Sequence, residues 1–194
     1  MESNHYDALG RDFFQRDTAI VARELLGKML VRKMQQQLTT GMITETEAYY
    51  GIGDPASHAF RGATPRSRIM FGKPGVAYVY LCYGVYWLLN VVTEKEGIPG
   101  AVLIRGLKSL DGKGIMQDRR KTSGSGSLAD GPGKLTIAMG INGSQNGTDT
   151  TSTDNGLYFS RKNTEIDDFY IKSTARIGIK EGKDRILRFI AVGL

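Results

Sequence analysis

The sequence predicts an α+β fold in which a curved antiparallel β-sheet carries helices on one side, all within a single domain spanning residues 1–194. Residues 76–82, 86–93 and 101–108 are successive strand-like runs joined at Tyr83-Gly84 and at Gly97-Ile98-Pro99-Gly100, the pattern of an antiparallel meander. Short helical segments with recognisable start and stop signals flank this meander. At 194 residues and 40% hydrophobic content, the chain can fill one core, and no internal repeat suggests a second.

Taken in order, Asp17-Thr18 caps a helix whose apolar positions are Ala19, Ile20, Val21, Ala22, Leu25 and Leu26, and Gly27 closes it in the left-handed region. Residues 28–33 and 39–49 alternate and are rich in β-branched side chains, so they read as a hairpin turned at Gln35-Gln36-Gln37. Thr64-Pro65 starts, and Gly72 ends, a short helix bearing Arg66 and Arg68. After the meander come a helix at residues 115–120, a Gly/Ser connector at 123–127 and a second short helix from Asp130-Gly131-Pro132 through Met139. Asn-Gly steps at Asn142, Asn146 and Asn155 mark turns. Strands at 157–160, 169–171, 175–179 and 187–192 complete the chain.

Composition narrows the function. One cysteine and two histidines, His5 and His58, cannot build a disulfide scaffold or a tetrahedral zinc site within one chain, so no metal or other cofactor is expected. No apolar run reaches the roughly 20 residues of a membrane span, and the polar N-terminus is unlike a secretory signal, so an intracellular protein is expected. The net charge of +6 is concentrated: residues 1–60 carry −2, residues 61–121 carry +7 and residues 122–194 carry +1. A basic segment within an otherwise neutral domain is the footprint of a polyanion partner or of a solvated surface.

Two stretches stand out chemically. In Ile43-Thr44-Glu45-Thr46-Glu47-Ala48-Tyr49 a strand sets two carboxylates on one face beside an aromatic ring, which makes them either solvent-facing acids on an edge strand or candidates for a general base. Residues 78–87 hold five aromatic side chains, of which Tyr78, Tyr80 and Trp87 read as core. Tyr83 differs, because at a hairpin tip beside Gly84 its ring has nothing to pack against. A rigid ring on a protruding basic tip can enter a duplex and hold the gap it opens.

These segments, together with His58, Thr64-Pro65-Arg66, residues 70–75, Tyr78-Val79-Tyr80, Asn90, Val102-Leu103-Ile104-Arg105, residues 131–135 and residues 185–193, closely resemble the alkyladenine or 3-methylpurine DNA glycosylases. The resemblance covers most of the chain in order and spacing. It does not extend to the Gly/Ser connector or the Asn-Gly loops, and the long N-terminal extension of some members has no counterpart. The resemblance implies that Glu47 activates water and that Arg105 binds that water or a neighbouring phosphate. It implies further that Tyr49 and His58 wall the pocket for a flipped base, with Asn90 lining it to disfavour guanine, while Tyr83 fills the vacated space. Tyr86, in the same hairpin, is a second pocket candidate, and Arg66, Arg68, Lys73 and Lys134 are candidate phosphate contacts.

The implied activity is monofunctional. A monomer flips an alkylated or deaminated purine out of double-stranded DNA and hydrolyses its N-glycosidic bond, with 3-methyladenine, 7-methylguanine, hypoxanthine and ethenoadenine as candidate bases. A non-catalytic nucleic-acid-binding module is the main alternative, though a carboxylate between aromatic walls would serve it poorly. A small-molecule hydrolase would leave the exposed Tyr83 unexplained.

Overall fold

The computed structural model describes residues 6–124, 127–161 and 168–194. Its spine is β2 (Gln37–Tyr50), which folds back on β1 (Met29–Met34) through a turn in which Gln35 takes a left-handed φ of 54°. Along its other edge β2 pairs with β5 (Gly100–Ser109), and register shifts around Glu45 bend the strand there. Beyond that bend, Glu45, Thr46 and Glu47 pair with β8 (Arg188–Val192), which in turn pairs with β7 (Tyr170–Thr174). With β3 (Ala77–Cys82), β4 (Tyr86–Val92) and β6 (Leu157–Ser160), the sheet has eight strands and runs β3-β4-β5-β2-β1-β6 along its main path. Every pairing between these strands is antiparallel, and β3-β4-β5 is the expected meander.

Strand alternation splits this sheet into two chemically distinct faces. Ile43, Ala48, Val79, Leu89, Val91, Val102 and Ile104 point into the main core, where they meet α2 (Thr18–Glu24), α3 (Lys113–Arg120) and α4 (Pro132–Met139) through Val21, Ala22, Met116, Leu135, Ala138 and Met139. Asp17 caps α2 as expected, accepting from the Ala19 and Ile20 amides at 3.0 and 3.1 Å. Thr46 also lies on the helix side, where its hydroxyl donates to the Ala22 carbonyl at 2.8 Å. The alternating residues Glu45, Glu47, Tyr49, Arg105, Asn90, Tyr78 and Tyr80 therefore project from the other face.

Several local expectations change. Residues 175–179 lie outside every strand, because Arg176 turns inward to Asp54 and the Ile177 amide donates to Glu47 instead of to a ladder. The helix expected from Thr64 is reduced to a 3₁₀ turn at Arg68–Phe71. The Thr64 and Ser67 side chains satisfy the preceding backbone, with Ser67 Oγ accepting from the Thr64 amide at 2.9 Å and Thr64 Oγ1 accepting from the Ser67 amide at 3.2 Å. An additional one-turn helix, α1 (Arg11–Phe14), buries Phe14. His5 and, within the Gly/Ser connector, Ser125 and Gly126 lie outside the described residues.

Candidate active site

Glu47 occupies the centre of the sheet rather than an edge, between Leu103 of β5 and Arg188 of β8. Its side chain is 0% exposed. A buried carboxylate requires compensating donors, and Glu47 has three. Oε2 accepts from the Tyr49 hydroxyl at 2.7 Å and from Arg105 Nη1 at 3.3 Å, while Oε1 accepts from the Ile177 amide at 2.7 Å. Burial first, and then the charge and hydrogen bond of Glu47, drive the Tyr49 pKa strongly upward, so Tyr49 keeps its proton and serves as the donor.

Arg105 connects the two carboxylates that share this face. Its Nε donates to Glu45 Oε1 at 2.7 Å, and the same oxygen accepts from Arg188 Nε at 2.6 Å. Desolvation acts to lower the Arg105 pKa, but Glu47 and Glu45 outweigh it and the net shift is upward. Two arginines and two glutamates thus form a neutral chain across β2, β5 and β8.

Above this chain lies a cavity of about 850 Å³ lined by Tyr49, His58, Tyr80, Asn90 and Arg105, with Tyr83 and Tyr86 toward the hairpin and Lys134 on α4. His58 is exposed, yet its Nδ1 lies 2.8 Å from the Tyr78 hydroxyl and its ring centroid 4.7 Å from that of Tyr80. Desolvation of this inner edge, followed by the charge of Arg66, lowers its pKa to about 4, so the imidazole is neutral near pH 7. Asn90 is buried and its Nδ2 donates to the Tyr78 carbonyl at 3.1 Å, which fixes the amide's position against the cavity. Tyr86 packs on α4 so closely that a Cβ on Gly133 would lie 2.8 Å from its Cγ. A side chain at residue 133 would therefore displace the Tyr86 ring.

Tyr83 is 90% exposed and has a φ of 49°, followed by Gly84 at 70°. Two consecutive left-handed residues suit the right-handed twist of a hairpin, but a bulky side chain is rarely found in the first of them. This conformation costs stability, and the ring recovers none by packing.

The basic residues divide into two groups. Arg66 lines the cavity with its guanidinium 4.8 Å from the Tyr80 ring centroid, and it donates to the Leu81 carbonyl at 3.3 Å. Lys134 also lines the cavity, its ammonium 2.9 Å from Asp130. Arg68 and Lys73 are exposed and do not line the cavity, and neither forms an ion pair among the described residues.

Four residues of this constellation are absent from the expected site. Tyr80 belongs to the cavity rather than wholly to the core, as its partial exposure and its contact with His58 show. Asp54 follows β2 closely, whereas Arg176 and Arg188 come from segments remote in sequence, and no local pattern marks the contacts these three make. Among the described residues, no group of three or more His, Cys, Asp or Glu side chains could hold a metal ion, and no helix is long and apolar enough to cross a membrane.

Comparison with known proteins identifies the family. The profile of the family described as Methylpurine-DNA glycosylase (MPG) matches residues 12–193. A protein of Prosthecochloris aestuarii named "Putative 3-methyladenine DNA glycosylase" is 48% identical over 179 residues, covering 92% of this chain and 85% of its own. Proteins bearing the same name from Methanoculleus marisnigri and Ehrlichia chaffeensis are 45% and 44% identical, covering 93% and 96% of this chain and 93% of each relative. With a profile spanning nearly the whole chain and relatives at this identity, the chain belongs to the methylpurine-DNA glycosylase family and is a DNA glycosylase, a hydrolase of N-glycosyl bonds.

Proposed function

We propose that this protein acts as a single catalytic domain and a monomer, excising alkylated or deaminated purines from double-stranded DNA with Glu47 as the base that activates water. The observation that carries this reading is the hydrogen bonding of Glu47. A carboxylate offers about four acceptor directions. Tyr49, Arg105 and Ile177 occupy three of them. One remains: Glu47 itself is buried beneath the cavity, but its partners Tyr49 and Arg105 line it, and a water molecule entering between them would give its proton to Glu47 as its oxygen attacks C1′ of the flipped nucleotide.

The N-glycosidic bond breaks through an oxocarbenium-like sugar, whose charge Glu47 offsets, and the base leaves with the bonding electron pair. Free base and an abasic site result. A base alkylated at N3 or N7 is cationic, so it is a better leaving group and gains cation–π attraction from Tyr49 that a normal purine lacks. Neutral His58 adds no repulsion to that stack. Hypoxanthine and ethenoadenine are the neutral candidates, selected by fit and by weaker pairing in the duplex. Lys134, with its ammonium paired to Asp130, is poorly suited to act as the amine nucleophile of a lyase.

Duplexes each carrying one lesion, incubated under single-turnover conditions and then cleaved at abasic sites with alkali, test both substrate and base. Glu47→Gln should lower excision by at least about 10²-fold, as the loss of a general base does. Near-native excision by that variant would overturn the assignment.

A further inference from the structure

We propose that Arg176 is a positioning residue for excision, holding the ring of Tyr49 and the carboxylate of Glu47 in one arrangement. The inference rests on the roles of Glu47 and Tyr49 proposed above and adds a buried residue that does not line the cavity.

Arg176 belongs to the irregular segment after β7, and its side chain is 0% exposed. Nη1 and Nη2 donate to the two oxygens of Asp54, each at 2.7 Å, and Nη1 also donates to the Ala48 carbonyl at 3.0 Å. Ala48 lies between Glu47 and Tyr49, so these bonds tie the segment to the part of β2 that carries both. Asp54 is anchored to the same strand, accepting from the Tyr50 amide at 3.0 Å.

Two consequences follow for the site. The Arg176 guanidinium lies 4.6 Å from the centroid of the Tyr49 ring, which fixes one face of the ring and leaves the other to stack on a base. The next residue, Ile177, supplies the amide that donates to Glu47 Oε1. One buried fork therefore sets the plane of the pocket wall and the angle of the catalytic carboxylate. Arg176 Nε finds no acceptor among the described residues, so the guanidinium is held through its two Nη atoms alone. Lysine cannot reproduce this arrangement, having neither the fork nor a plane to stack.

The test uses Arg176→Met, Arg176→Lys and the double variant Asp54→Asn/Arg176→Met. The double variant removes both charges and guards against unfolding caused by an unpaired buried carboxylate. Single-turnover excision at saturating enzyme should fall by about 10-fold or more in each variant. Separately, in a Glu47→Gln background, preference for a lesion duplex over an undamaged one should fall several-fold while affinity for the undamaged duplex stays unchanged. A role confined to holding the fold together would not split chemistry and lesion preference from undamaged-DNA binding in this way. Restoration of native values by Arg176→Lys would reduce the role to charge balance and overturn the proposal, as would native excision by either folded Met variant. If Glu47→Gln alone kept its activity, the base assignment would fail, while loss of lesion preference on replacing Arg176 would still report the hold on Tyr49.

Discussion

The Tyr49 hydroxyl donates a 2.7 Å hydrogen bond to Oε2 of Glu47 from two residues along the same strand face, so the proposed base-stacking wall and the proposed catalytic carboxylate are a single unit. The link lets stacking and chemistry be separated experimentally. Tyr49→Phe keeps the ring but removes a donor to a buried carboxylate, an interaction typically contributing about 1.5–3 kcal/mol. Single-turnover excision should fall by about 10-fold, while lesion affinity measured in a Glu47→Gln background stays close to native. An equal loss in both measurements would show that the hydroxyl serves binding rather than the carboxylate.

Asn90 is held in place by its bond to the Tyr78 carbonyl, so in its proposed role it would exclude bases by occupying space rather than by reorienting. Asn90→Ser should open room for the exocyclic amino group of guanine. Excision of 7-methylguanine relative to hypoxanthine should rise by about 10-fold, the order expected from relieving a small steric conflict in a pocket. An unchanged ratio would remove Asn90 from the selectivity filter.

How much of this site is legible in the sequence depends on the range of the contacts. The meander, the carboxylate face of β2 and the protruding Tyr83 follow from strand alternation and turn residues, which act over a few positions. Arg176 meets Ala48 and Asp54 across 128 and 122 residues of chain, and its segment, Ala175-Arg176-Ile177-Gly178-Ile179, alternates like a strand. Local propensity favours β there. The bonds from Arg176 to Asp54 and from Ile177 to Glu47 prevail instead, and they become visible only once β2 and that segment are side by side. Tyr80 reads as core for a similar reason, since an aromatic residue in a strand does not reveal that His58 and Arg66 will meet its ring.

The same environment makes His58 a pH reporter. Its pKa is lowered to about 4, first by desolvation and then by Arg66, whereas an unfolded chain titrates near 6.5. Between those values the unfolded state binds a proton that the folded state does not, so this residue's contribution to stability is full above about pH 6.5 and is lost as pH falls toward about 4. Solvent at the exposed side of the ring screens part of the effect. Imidazole NMR signals of the folded protein should titrate well below 6.5, and His58→Phe should flatten the decline in melting temperature across that window. A midpoint near 6.5 would contradict an inner edge held against Tyr78.

Tyr83 separates a base-flipping enzyme from a generic basic binder. It is 90% exposed in a left-handed conformation unusual for a bulky residue, so its removal costs the fold no packing. If the ring fills the gap left by an extruded nucleotide, Tyr83→Ala loses stabilisation of the flipped state alone. Affinity for undamaged duplex and its salt dependence should persist, because phosphate contacts are untouched. Lesion binding should weaken by about 10-fold, in line with the roughly 1–3 kcal/mol that stacking a base on an aromatic ring contributes. Fluorescence of a 2-aminopurine beside the lesion should no longer rise on complex formation. Arg68 provides the contrast, being exposed and outside the cavity, whereas Arg66 also supports Tyr80 and would perturb the pocket. Arg68→Ala should weaken binding to damaged and undamaged duplexes alike and reduce the salt slope by about one unit. Equal losses on both duplexes for Tyr83→Ala would place that ring with Arg68, as a contact to DNA that does not depend on flipping.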